Sequence, residues 1–207
     1  MIIAVDGPTA SGKGTIAHAL AAHYALPHLD TGLLYRAVGR QVFLAGTDPD
    51  DPADALAATA FPDSLLDDPA LRSEETGGLA SRVSVHPAVR RALFERQRGF
   101  ATQPGGAVLD GRDIGTVIAP EAEAKLFIIA SVSARAQRRF LEMQGRGIAV
   151  TLDAIEADLA ARDARDRTRA EAPLVAAADA VTLDTSALSA EAAIAAALAL
   201  VEARRQR

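Results

Sequence analysis

The chain contains no cysteine, which excludes a disulfide framework, thiolate catalysis and any cysteine-ligated metal. Its four histidines, His18, His23, His28 and His86, fall in no recognisable ligand spacing and read as surface or loop residues. Long apolar runs are missing as well. The longest, Ala192–Val201, has ten residues, too few to span a bilayer. A strand is expected to begin almost at Met1, which leaves no room for the basic and apolar segments of a signal peptide. The expectation is a soluble, cytoplasmic protein without a membrane partner. Positive charge is in deficit, with a net charge of −5. That argues against a nucleic-acid partner, because phosphate backbones are bound by basic surfaces, although local arginine clusters could still hold small phosphates. No internal repeat or low-complexity tract interrupts the chain. What remains is 207 residues, 49% hydrophobic and 24% charged, an ordinary globular composition and enough chain for one buried core.

What is present starts at the N-terminus. Ile2-Ile3-Ala4-Val5-Asp6 is a short apolar run fit for a strand, and the Ala- and Leu-rich stretch Ile16–Ala22 favours a helix. Between them runs Gly7-Pro8-Thr9-Ala10-Ser11-Gly12-Lys13-Gly14-Thr15. Strand, glycine loop and helix form the context in which G-x-x-x-x-G-K is a phosphate-binding loop. The glycines let successive N–H groups turn towards one anion, the new helix adds unpaired donors and its positive dipole end, and Lys13 supplies a full charge. The hydroxyl usually found directly after the lysine is displaced by one place, since Gly14 stands there and Thr15 follows. The loop is expected to hold a nucleoside triphosphate with Mg²⁺; whether Thr15 itself approaches the metal stays open. A glycine-rich turn with a solvated lysine is the plainer alternative.

Further along, Tyr24–Leu29 reads as a second strand ending at Asp30, and Asp30-Thr31-Gly32 opens a helix over about Leu33–Leu44. From Gly46 to about Ala70 the chain is rich in Asp, Pro and Ala, a loop and short-helix excursion broken by Pro49, Pro52, Pro62 and Pro69. A helix is expected over Pro87–Phe100, a buried strand over Ala107–Leu109 ending in Asp110, and the clearest strand over Lys125–Ala130. Helix signals resume from Ser133 to Gln144, break at Gly145-Arg146-Gly147 and return from Leu152. A last strand, Ala180–Leu183, precedes a helix capped by Ser189, with Glu191 near its start and Arg204 and Arg205 near its end. Strands alternating with helices imply an α/β fold, a P-loop NTPase-type parallel sheet flanked by helices. In such sheets ligands collect at the carboxyl ends of strands, where Gly7, Gly12, Asp30 and Asp110 all fall.

Three other stretches carry chemistry. Asp30-Thr31-Gly32-Leu33-Leu34-Tyr35-Arg36 fits a ligand site, and fits equally a capped helix start with an exposed arginine. Asp110-Gly111-Arg112-Asp113-Ile114-Gly115-Thr116 sets two carboxylates, a guanidinium and two glycines directly after a buried strand; a β-turn would explain Asp110-Gly111 but not the whole set. Arginine recurs at 135, 138 and 139, then at 162, 165, 167 and 169. Part of that series fits a solvated helix face. In an acidic chain it also suits a mobile lid closing on phosphates, since phosphoryl transfer is mostly positioning and charge neutralisation.

These pieces together resemble the bacterial cytidylate kinase family of P-loop nucleoside monophosphate kinases, nearly end to end. The resemblance runs through Gly7–Thr15, Asp30–Gly32 with Tyr35-Arg36, Ala80–Val83 leading to Pro87 and Arg90, Asp110–Thr116, Arg135–Arg139, Arg162–Arg169 and Ala172–Leu174. It implies a single domain: a core of residues 1–36, 101–140 and 170–207, an acceptor-binding excursion over about 37–100, and a helical lid over about 141–155. It implies that Ser81, Arg90 and Asp113 read the cytosine ring and that Arg36, Arg112 and Arg169 hold the acceptor phosphate. Thr31, Arg162 and Asp166 would lie near the sugar and phosphate, with Asp166 on the ribose hydroxyls. Gly7 to Thr15, with Arg138 and Arg139, would bind ATP, and Lys13, Arg112 and Arg169 would act in catalysis. The segment between about Ala45 and Arg72 is too short for the small β-sheet that longer family members insert there.

The activity implied is transfer of the γ-phosphoryl group of Mg·ATP to CMP or dCMP by a monomer. Cytosine suits such a site, because a carboxylate can accept from its amine while a guanidinium donates to its ring acceptors. Two alternatives share the loop: a kinase for another small acceptor such as UMP, AMP or shikimate, and a nucleotide-dependent switch or binding protein. Against the switch, the chain has no Asn-Lys-x-Asp guanine-reading motif.

Overall fold

The computed structural model describes residues 1–206. Five strands, β1 (Ile2–Asp6), β2 (His28–Asp30), β3 (Ala107–Gly111), β4 (Ala124–Ile129) and β5 (Val181–Asp184), form one sheet in the order β2-β3-β1-β4-β5. Every pairing is parallel. The sheet is the parallel α/β, P-loop NTPase type expected from the alternating strands and the Gly7–Thr15 loop. β1 lies at its centre, so its side chains bury on both faces, which is why it reads as an unbroken apolar run. Ile3 and Val5 meet α1 (Lys13–Tyr24) and the C-terminal helix on one face, while Ala4 joins Leu109, Ile114 and Ile118 on the other.

Six helices lie between α1 and the C-terminal helix: α2 (Thr31–Ala45), α3 (Pro52–Ala57), α4 (Glu74–Val83), α5 (Pro87–Ala101), α6 (Val132–Gly145) and α7 (Leu152–Thr168); α8 (Ala190–Arg205) is the last. Local chemistry sets many of their ends. Asp30 accepts from the Gly32 N–H at the start of α2, Asp51 caps α3 with Pro52 behind it, and Ser189 accepts from the Ala192 N–H to start α8. α8 buries Ala193, Ala197 and Val201, one residue per turn along a single stripe.

Residues 37–100 contain no strand; with the first half of α2 they fold through α5 around a core of Leu34, Val38, Val42, Phe61, Leu71, Val83 and Leu93. A further small core of Ala136, Met143, Ile155 and Leu159 joins α6 to α7. One local expectation is corrected. Tyr24 closes α1 rather than opening a strand, because Ala25 turns left-handed (φ 53°) and its N–H caps the helix, so β2 is only His28–Asp30. The residues after Asp113 form a wide π-type turn, Ile114–Ile118. Among the described residues no helix is long and apolar enough to cross a membrane.

Candidate functional site

The carboxyl ends of β1, β2 and β3 build the site's floor. Asp30 and Asp110 are partners in the β2–β3 register and finish neighbouring strands side by side. β1 ends in Asp6, whose carboxylate accepts from the backbone N–H groups of Ile114 and Gly115, each at 2.8 Å. Burial still pushes the Asp6 carboxyl up to about 7, with Asp113 adding to the rise. This clamp fixes the π-type turn and so aims Arg112 and Asp113 across the strand ends.

The loop after β1 then wraps the mouth of α1. Gly7 passes so close under β4 that a Cβ on it would lie 2.1 Å from the Ile128 carbonyl oxygen. Gly12 takes φ 87° to begin α1, a left-handed conformation favouring glycine. Thr9, Ala10, Gly12, Lys13, Gly14 and Thr15 face a large open cavity together with Asp30, Asp110, Arg36, Arg112 and Arg139. Among the described residues the Lys13 ammonium hydrogen-bonds to the Pro8 carbonyl alone, at 3.3 Å. Burial, then the Arg112 charge, lowers it to about 8. Ser11 has its hydroxyl buried and without a hydrogen-bond partner. It lines a smaller pocket on the other side of the loop with Gly12, Thr15, Arg138, Thr185 and Leu188.

Beside this cavity lies a cleft of about 570 Å³, open solvent at its mouth included. Thr31, Arg36, Ser81, Arg90, Arg112, Asp113, Arg162, Asp166 and Arg169 all line it. α2, α4, α5, the β3 turn and α7 thus bring into one space every residue that the resemblance assigned to the acceptor. Five arginines face two aspartates there, an excess of positive charge suited to a phosphate. Arg90 and Asp113 form a buried pair at 2.5 Å, and Tyr35 lies beneath the Arg90 guanidinium. Arg112 donates to Asp166 at 2.7 Å and to the Thr9 hydroxyl of the loop. Arg36 holds the Leu71 and Ser73 carbonyls at 2.7 and 2.9 Å.

The electrostatics record the crowding. Burial, and then the charge of Arg162, lowers the Arg36 guanidinium to about 10. Burial and the Arg90 charge likewise lower Arg169. Burial would raise Asp166, but Arg112, Arg169 and Lys13 outweigh it and hold the carboxyl below its ordinary range. Arg162 Nε pairs with Asp158 at 3.0 Å and Arg169 Nη2 lies 3.6 Å from Asp113.

The arginine series between 135 and 169 divides by role, which corrects the idea of one lid pool. Arg135 is wholly buried: it grips Asp163 with two bonds, 3.1 and 2.6 Å, and holds the Thr9 and Ala130 carbonyls at 3.0 Å each. It ties α6 and α7 to the phosphate loop and faces no cleft. Removing one member of a buried pair leaves the other charge stranded. Asp163→Ala is expected to destabilise the fold by about 3–5 kcal/mol, read as a lower urea midpoint at unchanged m-value. Arg138 turns its guanidinium to Thr185. Arg139 faces the loop cavity while paired with Glu74 of α4, and Arg167 points to solvent.

The sequence reading places Asp30 and Asp110 at strand ends without giving them a role, and it misses Glu74. Asp30 and Asp110 face the same cavity as Lys13, and their position as the last acidic residues of adjacent strands was the signal. Burial, and then the Asp110 charge, pushes the Asp30 carboxyl up from its ordinary range. His28 Nε2 lies 2.8 Å from Asp110. No spacing rule would have found Glu74.

A family model described as Cytidylate kinase matches residues 3–203. A cytidylate kinase of Xanthobacter autotrophicus is 58% identical over 205 residues, covering 99% of both chains. One from Rhodopseudomonas palustris is 56% identical, covering 99% of this chain and 97% of its own, and one from a Caulobacter species is 55% identical over 207 residues. Among solved structures, an uncharacterized protein from Eubacterium ventriosum superposes with a TM-score of 0.56 at 16% identity over the full chain. It shares the fold.

Proposed function

The chain belongs to the cytidylate kinase family and is a phosphotransferase acting on CMP and dCMP, and from that premise we propose how its own residues divide the reaction. ATP lies along the Gly7–Thr15 loop with its terminal phosphates at Lys13, and CMP or dCMP occupies the neighbouring cleft. The observation that carries this reading is that Arg36 and Arg112 line both spaces at once. Charge that spreads over a phosphoryl group in flight between them is met from both sides, which is the main requirement of such a transfer.

Within the cleft, Arg36, Arg112 and Arg169 hold the acceptor phosphate, Asp166 and Arg162 hold the sugar side, and Ser81, Arg90 and Asp113 read the base. Arg139 faces the ATP phosphates, and Arg138 lies towards the nucleoside side of the loop. Residues 146–151, irregular between α6 and α7, form the tip of a lid over about 141–155 that excludes water when substrates are bound. The core, excursion and lid act as parts of one domain, working as a cytoplasmic monomer with no nucleic-acid partner.

The donor set fits Mg²⁺ arriving with ATP. Asp30 and Asp110 are hard oxygen donors side by side on the strand ends, the first raised by burial and then by the second's charge, with the Thr15 hydroxyl on the same cavity. Mg²⁺ takes one or two carboxylates along with phosphate oxygens and water. When bound it supplies charge neutralisation on the phosphates.

The test is a coupled assay of ADP release with CMP, dCMP, UMP and AMP. ADP is expected only when an acceptor is present, with CMP and dCMP giving the highest kcat/KM. Equal ADP release without any acceptor would favour a switch or simple hydrolase instead.

A further inference from the structure

Arg165 of α7 stands behind the base-side wall of the cleft, outside the ring of residues that line it. Its Nε–H donates to the Ser81 hydroxyl oxygen on α4 at 3.0 Å. A guanidinium has only donors, so Ser81 Oγ must accept in this bond. The Ser81 carbonyl is engaged separately, accepting from the Ser84 hydroxyl at 3.0 Å. Among the described residues the Ser81 hydroxyl donates to no protein acceptor, and Ser81 lines the cleft alongside Arg90 and Asp113.

A serine hydroxyl is ordinarily ambivalent, one donor and two acceptor positions on a free rotor. Cytosine and uracil differ at N3, where cytosine offers a lone pair and uracil an N–H. An ambivalent hydroxyl serves either ring. A hydroxyl whose oxygen is held by a fixed cation is polarised towards donating, because hydrogen bonds in a chain reinforce one another. The oxygen's second acceptor position can still take the uracil N–H. Only donation to the cytosine ring nitrogen, however, continues the chain from guanidinium through hydroxyl to base and is reinforced by it.

We propose that Arg165 is a positioning residue for base specificity, biasing the Ser81 hydroxyl towards donating to the ring nitrogen of cytosine. The proposal rests on the reading of Ser81 as a base contact. Arg165 touches no substrate; it acts through Ser81.

The experiment measures kcat/KM for CMP, UMP and 3-deazacytidine 5′-monophosphate, in which a C–H replaces the N3 acceptor. The proteins are wild type, Arg165→Met, Ser81→Ala and the double variant, each checked for folding by circular dichroism. Arg165→Met is expected to lower both the CMP/UMP and the CMP/3-deaza ratios about 10-fold, the scale of one hydrogen bond assisted by charge. Ser81→Ala should do the same, and the double variant should fall no further than Ser81→Ala alone. Arg165→Gln, whose amide can donate or accept, should show a similar drop and carries the test should the methionine variant fail to fold. Unchanged ratios in the Arg165 variants, with reduced ratios in Ser81→Ala, would overturn the proposal and leave the base site intact. Additive losses in the double variant would also overturn it. Unchanged ratios in Ser81→Ala would remove both the proposal and the base role of Ser81.

Discussion

Lys13→Met is expected to yield a folded protein whose kcat/KM for ATP has fallen about 10³-fold, the scale on which a fixed cation at the reacting group acts. Folding should survive because the ammonium makes little of the structure: among the described residues its one hydrogen bond is to the Pro8 carbonyl, at 3.3 Å. The chain has only one other lysine, Lys125, and it is committed far from the loop to Asp179 and the Pro120 carbonyl. No second ammonium can substitute. Burial and the Arg112 charge lower Lys13 to about 8, so the free enzyme carries this positive charge below that pH and loses it above. kcat/KM for ATP reports the free enzyme's ionisations and should bend downwards as pH rises through about 8. Bound phosphates stabilise the ammonium, so kcat should hold to higher pH. In Lys13→Met the bend at 8 should vanish with the activity. A variant turning over near the normal rate would take Lys13 out of the reaction.

The parts of this molecule legible in its sequence are those where one physical signal dominates. β1 and β4 are buried on both faces and show it as continuous apolar runs. The phosphate loop is legible because Gly7 and Gly12 sit where close approach and a left-handed turn leave few other residues possible. α4 was illegible for the opposite reason. Gly77 and Gly78 in mid-helix argue against a helix, yet a Cβ on Gly77 would lie 2.9 Å from Arg36 Nη2 and 3.1 Å from Arg162. The residue that weakens the helix locally is the one that admits two cations to the cleft. Arginine was ambiguous in the same way. Arg135 and Arg162 look alike in sequence, but one is consumed by Asp163 in the interior while the other lines the cleft. A charge pattern shows that cations cluster; it does not say which face of the helix turns inward, because that is decided by partners about 30 to 130 residues away, such as Asp163 and the Thr9 carbonyl for Arg135.

Asp113 is where base selection should be lost with the second largest effect. Its carboxylate is buried at the end of the cleft, 2.5 Å from Arg90 and 3.6 Å from Arg169. A carboxylate has about four acceptor positions, so these cations leave it able to accept from the exocyclic amine of cytosine. Uracil places a carbonyl at that position, and two acceptors would then face each other in a desolvated site. Asp113→Ala is expected to narrow the CMP/UMP ratio of kcat/KM values about 10- to 100-fold, the usual range for losing one directed base contact, chiefly through loss of CMP. It should also lower stability, because Arg90 is left as an unpaired buried charge. Asp113→Asn separates the two effects. The amide can still accept from Arg90 through its oxygen while turning its NH₂ into the cleft, where it would donate to the uracil carbonyl. Asp113→Asn should therefore gain activity on UMP while it loses activity on CMP, a change of sign that general damage to the cleft would not produce. Equal losses on both nucleotides in both variants would assign Asp113 to holding Arg90 and remove it from reading the base.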